Sequence, residues 1–194
     1  MSPQEPRLVL ASGSPRRKKL LQEFGYDFQV VVPDDHAETG MCSDCPPLEL
    51  VARLAESKAE NVAEKLERGL VLAADTVAEC QGRILGKPRD EDHARQMLEL
   101  MSGKIHRVLT GVCLIDLDHS NRRAVDVVVT TLKMDELSDS LIQEYLDSDQ
   151  WIGKAGAFGF QDGLDWVHVT EGSESNVVGL PMERLAVMLD KMNA

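Results

Sequence analysis

The chain has 194 residues, 43% hydrophobic and 28% charged, and 33 acidic against 21 basic side chains give it a formal net charge of −12. That length suits one domain, residues 1–194, with a core of its own. The acidic balance excludes a broad basic face for polymeric nucleic acid. No apolar run approaches the roughly 20 residues of a membrane span, and no signal peptide is legible, so a cytoplasmic protein is expected.

The first elements are a strand over residues 7–11 and a helix over 15–24, joined by Ser12-Gly13-Ser14. Ser14 suits the N-cap and Pro15 the first helical position. Arg16, Arg17, Lys18 and Lys19 then fall in the first turn, where the helix dipole disfavours cations by roughly 0.3–1 kcal/mol each. Cations beside outward-pointing backbone N–H groups imply an anion, with phosphate the obvious candidate. If Leu20, Leu21 and Phe24 form the buried stripe, Arg17 lies over its centre and Arg16 on its flank, while Lys18 and Lys19 point to solvent. The planar forks of the two arginines suit phosphate oxygens; the alternative is a surface cluster that answers the acidic bulk.

A second strand is predicted over 28–32, followed by a polar, proline-bounded loop over 33–47 that contains Asp34, Asp35 and Glu38. A long helix follows over 48–66, with apolar residues at 51, 54, 55, 59, 62, 63 and 66. Lys58 interrupts that stripe, so it either snorkels to the edge or meets an anion. The buried strand over 70–74 delivers Asp75, which reads either as a rigidly held catalytic carboxylate or as a turn cap. Asp75 and Glu38 together offer hard oxygen ligands for Mg²⁺ or Mn²⁺.

Strands over 76–80 and 83–85 flank Gln81-Gly82 as a tight hairpin, with Lys87 just beyond it. Helices over 91–101, 136–147 and 183–192, strands over 107–117 and 124–132, and strand-like pieces at 166–169 and 177–179 complete the pattern. Hairpins among alternating helices and strands give a mixed α/β protein, two lobes around a cleft. The glycines of residues 153–161 imply close backbone approach. At the end of that stretch Gln161 is either an ordinary loop residue or an amide able to pair with N3–H and O4 of uracil or thymine. The five histidines show no ligand spacing. Cys42 and Cys45 have half of a zinc-knuckle spacing and are expected as free thiols, redox or metal use being the alternative.

These segments, in this order, resemble the Maf family of nucleoside triphosphate pyrophosphatases. The matching stretches are LASGSPRRKKLL at 10–21, LAESKA at 54–59, AADTV at 73–77, LGKP at 85–88, SGKIHRVLTG at 102–111, GKAGAFGFQ at 153–161 and SNVVGLP at 175–181. The resemblance implies an elongated, twisted mixed sheet flanked by helices, related to the inosine triphosphatase-like enzymes, and a homodimer. It also implies hydrolysis between the α- and β-phosphates to a nucleoside monophosphate and pyrophosphate. In that light Asp75 is the general base and Thr76 its neighbour. Arg16 is the phosphate-site arginine with Ser14 and Arg17 alongside, and Lys58 and Lys87 hold the triphosphate. Glu38 and Asp75 bind a divalent metal, Mg²⁺ or Mn²⁺ with Co²⁺ as a further candidate. Gln161 tunes base choice toward dTTP, UTP or modified pyrimidine nucleotides. The run Asp162-Gly163-Leu164-Asp165-Trp166 departs from the pyrimidine branch, which usually has a glycine and a more apolar strand there. Three rival readings are a nucleotide-binding regulator of cell division with little turnover, a broad-specificity pyrophosphatase and a phosphatase releasing orthophosphate.

Overall fold

The apolar triplet Leu8, Val9 and Leu10 is buried throughout and starts a seven-stranded mixed sheet as β1 (Leu8–Leu10). The computed structural model describes residues 8–38, 45–120 and 122–193. Strand β1 pairs in parallel with β2 (Phe28–Val30) and with the start of β3 (Leu70–Cys80). The remaining ladders are antiparallel: β3 with β4 (Arg83–Leu85), β3 with β5 (Ile105–Asp116), β5 with β6 (Arg122–Met134), and β6 with β7 (Val167–Glu171). The order β2-β1-β3-β5-β6-β7, with helices packed against the sheet, is the mixed α/β arrangement expected from the sequence.

The sequence splits β3 at Asp75, yet the structure runs one strand of 11 residues through it. Backbone pairing explains this, because β5 partners β3 continuously from Leu70↔Asp116 to Glu79↔Arg107. The opposite edge of β3 is different. There β1 covers only Leu70–Leu72, and β4 covers only Ala78–Cys80. Among the described residues no strand fills the gap between them, and Asp75 and Thr76 sit in it.

The helices follow local capping more closely than apolar patterning. Helix α1 (Pro15–Glu23) starts at Ser14, whose Oγ accepts from Arg17 N, and it stops before Phe24, which is 56% exposed and not part of the buried stripe. Helix α2 (Pro47–Ala63) and helix α3 (Glu91–Met101) lie close to expectation. Helix α4 (Asp139–Asp147) begins three residues later than predicted, because the Ser138 hydroxyl caps Leu141 N. The apolar pair Val177 and Val178, predicted strand-like, instead ends the short helix α5 (Glu174–Val178). Ser173 Oγ accepts from Asn176 N at its start, and Gly179 at φ 123° closes it, a conformation glycine adopts without strain. Helix α6 (Met182–Asn193) completes the chain.

Core packing divides around the sheet. Leu20 and Leu21 of α1 join Leu70, Leu72 and residues of α6 on one face, and Ala55, Ala59 and Val62 of α2 join Val71 and Ala73 on the other. A third cluster gathers Leu98, Met101, Leu146, Trp151, Phe158 and Trp166 around the far end of β3 and β5. Cys80 and Cys113 are buried free thiols, and burial pushes Cys113 up to about 12. Cys45 is disulfide-bonded, which corrects the expectation of two free thiols in that loop; Cys42 lies outside the described residues. Among the described residues no helix is long and apolar enough to cross a membrane.

Candidate active site

The gap in the edge of β3 is the floor of a cleft of about 640 Å³. Successive strand residues point to opposite faces, so Asp75 lies on the α2 side with Val71 and Ala73, while Thr76 lies on the α1 side with Leu72 and Ala74. Helix α2 comes very close to the sheet here. A Cβ built on Gly111, the register partner of Asp75, would fall 2.1 Å from the Val51 carbonyl oxygen. Lys58 is seven residues, two helical turns, beyond Val51 on the same face. Its ammonium meets Asp75 Oδ1 at 2.5 Å, with the two side chains only 9% and 14% exposed. Of the two fates left open for Lys58, the structure selects the anion.

On the other face a chain of hydrogen bonds fixes Thr76. Arg17 Nη2 donates to Thr76 Oγ1 at 3.2 Å, and Thr76 Oγ1 lies 2.9 Å from Thr110 Oγ1, which donates to the Asn176 carbonyl at 3.1 Å. Arg17 also donates through Nε to the Gly179 carbonyl at 2.8 Å and through Nη1 to Ser12 Oγ at 3.1 Å. All three guanidinium nitrogens therefore meet protein oxygens, and Arg17 binds the β1–α1 turn, β3 and the end of α5 together.

Arg16 crosses the cleft in the other direction, donating from Nη2 to the Gly153 carbonyl at 3.0 Å. Burial pulls its guanidinium below the ordinary value, and the Asp162 carboxylate opposes that shift; an arginine remains charged throughout. Ser14, Lys87 and Gln161 also line the cleft, Lys87 and Gln161 exposed within it. Lys18 and Lys19 point to solvent, and Lys19 pairs with Glu23 at 3.6 Å. The cleft thus brings together Ser14, Arg16, Arg17, Lys58, Asp75, Thr76, Lys87 and Gln161, although they come from five separate stretches of chain.

One further lining residue, Lys154, escapes the sequence reading. It forms a nearly buried ion pair with Asp162, the neighbour of Gln161. Lys154 lies inside the quoted GKAG motif, and Asp162 is the first residue of the departure from the family pattern. Lys154 precedes one 3₁₀ turn and Asp162 ends another, so no single helix or strand links their spacing to a shared direction.

Asp34 and Asp35 close the cleft on the loop side. The Asp34 carboxyl is held below its usual range, chiefly by hydrogen bonds from Lys65 and Asn61. Glu38 ends the 3₁₀ turn Asp35–Glu38, and its side chain lies outside the described residues. Among the described residues no three His, Cys, Asp or Glu side chains converge into a ready metal site. The donor chemistry nevertheless suits a hard cation, since Mg²⁺ takes one or two carboxylates together with phosphate oxygens, and Asp34, Asp35 and Asp75 share this cleft.

Comparison with known proteins places this cleft in context. The family model described as Maf-like protein matches residues 7–192. A dTTP/UTP pyrophosphatase from Rhodopirellula baltica is 56% identical over 190 residues, covering 97% of this chain and 83% of that protein. One from Ruminiclostridium cellulolyticum is 41% identical over 187 residues, covering 96% of each. Among solved structures, the Staphylococcus aureus Ham1 protein aligns with a TM-score of 0.54 at 11% identity, over 95% of this chain and 98% of that one. The Coxiella burnetii HAM1 protein aligns with a TM-score of 0.53 at 14% identity, over the same two shares. At such identities the likeness is one of fold alone.

Proposed function

The chain belongs to the Maf family, and from that premise we propose that it hydrolyses the α–β phosphoanhydride of nucleoside triphosphates, with dTTP and UTP preferred. The products are a nucleoside monophosphate and pyrophosphate. The observation that carries this reading is the Lys58–Asp75 pair at the floor of a cleft whose walls bear Arg16 and Lys87. Hydrolysis of an anhydride asks mainly for charge neutralisation and an aligned water, and this cleft offers cations for the first and a fixed carboxylate for the second.

Asp75 takes a proton from water as the water oxygen bonds to the α-phosphorus. The bond from that phosphorus to the bridging oxygen breaks, and pyrophosphate leaves. Lys58 holds Asp75 Oδ1 and stands where negative charge grows. Arg16, Lys87 and the α1 N-terminus capped by Ser14 receive the phosphates. Arg17 stands beside them in the cleft as a further cation for the triphosphate, and it also fixes Thr76 beside the base and the Gly179 turn against α1. A divalent ion held by Asp75 and Glu38 would supply charge neutralisation at the phosphates and a more acidic water. A cytoplasmic homodimer belongs to the same proposal, and sedimentation velocity checks the dimer.

A panel of nucleoside triphosphates assayed with Mg²⁺ or Mn²⁺, with identification of the released product, tests the reading. We expect pyrophosphate and not orthophosphate, and UTP and dTTP ahead of ATP and GTP by at least about tenfold in kcat/KM. Asp75→Asn should remain folded by circular dichroism and release no pyrophosphate. Undiminished turnover in that variant removes Asp75 from its role. Orthophosphate as the product replaces the reaction class altogether.

A further inference from the structure

The amide of Gln161 is anchored within the cleft. Its Nε2 donates to Asp162 Oδ1 at 3.2 Å, and the other carboxylate oxygen is occupied by the Lys154 ammonium. The three groups converge on the open face of Gly159. A Cβ built there would lie 2.3 Å from Asp162 Oδ2, 2.5 Å from Lys154 Nζ and 2.8 Å from Gln161 Nε2, so the cluster fills the space that a side chain at position 159 would take. Lys154 and Asp162 are 10% and 15% exposed, whereas Gln161 opens to the cleft.

We propose that Asp162 is a positioning residue for base choice: it holds the Gln161 amide in one of its two orientations, so that the cleft selects uracil and thymine over cytosine. This rests on the cleft being the nucleotide site proposed above. The two ends of a primary amide have nearly the same shape and opposite hydrogen-bonding character. An unanchored Gln161 turns either end toward a base. It then serves the N3–H and O4 of uracil as readily as the N3 and N4–H₂ of cytosine, which present the reverse pattern. An ionised carboxylate only accepts hydrogen bonds, so Asp162 tolerates the nitrogen end alone; turning the amide over would set two oxygens against each other. With one N–H committed to Asp162, the carbonyl oxygen and the second N–H of Gln161 remain for the base. Those match an imide edge and mismatch cytosine. Lys154 fixes the carboxylate by holding Oδ2, which leaves Oδ1 to face Gln161.

The experiment compares kcat/KM for UTP and CTP, two substrates of equal ring size, in the wild type and in Asp162→Ala, Asp162→Asn and the double variant Asp162→Ala with Lys154→Met. The double variant is included because Asp162→Ala strands a nearly buried ammonium. The wild type should favour UTP by at least about tenfold. In Asp162→Ala and in the double variant the ratio should fall to within about threefold, with kcat/KM for CTP rising. In Asp162→Asn the single oxygen goes to Lys154 and the side-chain N–H₂ turns to Gln161, which reverses the amide and tips the ratio toward CTP. A merely structural role lowers both substrates together and leaves the ratio unchanged, and that result overturns the proposal. If the wild type releases no pyrophosphate from UTP, the reading of the cleft as a catalytic site fails. Calorimetric affinities of UMP and CMP for the same four proteins then decide the role of Asp162, and an unchanged ratio rejects it.

Discussion

Lys58 and Asp75 neutralise each other while nearly out of water, 9% and 14% exposed, so neither can be removed alone at small cost. Losing one partner of a buried pair costs about 3–5 kcal/mol, because the survivor is an uncompensated charge, whereas removing both together is often close to neutral. Lys58→Met should therefore lose roughly 3 kcal/mol of unfolding free energy in urea, and adding Asp75→Asn to it should restore most of that loss. Neither variant should release pyrophosphate. Strictly additive stability losses would mean that the two side chains do not act as a pair. Each residue was legible separately, Lys58 as a cation inside an apolar stripe and Asp75 at the end of an apolar run. Their contact was not legible, since helical periodicity gives the buried face of α2 but not the strand it lies on. The pair Lys154 and Asp162 was illegible for a different reason. They sit in 3₁₀ turns and loops, where no period links sequence spacing to direction.

At the scale of elements, the site depends on how closely α2 lies on the sheet. Gly111 sets that distance, since a methyl group there would stand 2.1 Å from the Val51 carbonyl oxygen and 2.4 Å from its carbon. Both are backbone atoms that no rotamer change can move, so α2 as a whole must shift to make room. Gly111→Ala should cost about 1–3 kcal/mol of stability as an overpacked position. It should also lower kcat, because the shift carries Lys58 away from Asp75. Urea unfolding and steady-state kinetics on one preparation check both effects, and wild-type kcat in a destabilised Gly111→Ala would show that α2 does not position Lys58. The sequence made the helices and most strands readable through caps and periodicity. It misled at β3 and α5. A charged residue in the middle of β3 reads as a strand end until its buried partner is known. Two valines before a glycine read as a strand until the Ser173 cap and the positive φ of Gly179 decide for a helix.

Over the whole molecule the net charge is −12, yet the cleft lining is net positive, with Arg16, Arg17, Lys58, Lys87 and Lys154 against Asp34, Asp35 and Asp75. Acid stability is set elsewhere, beneath the cleft wall. His106 on β5 is 2% exposed and packs edge-on against Phe158 at 5.4 Å between ring centroids. Burial pushes its imidazole from 6.5 down to about 4, with the Lys104 backbone and the Glu79 charge opposing only part of that shift. Below pH 6.5 the unfolded chain takes up a proton that the folded protein refuses, so stability falls as the pH drops toward 4 and is indifferent to this group above 7. Between pH 7 and pH 5 the loss should be about 2 kcal/mol. The carboxylates held below their usual range, Asp34 and Glu183, lose their contributions only at lower pH, below their ordinary values of 3.8 and 4.5. Urea unfolding of the wild type and His106→Leu at pH 7 and pH 5 isolates the effect, because the other four histidines are common to both proteins. The variant should lose about 2 kcal/mol less than the wild type over that interval. Equal losses in the two proteins would place the acid sensitivity outside His106.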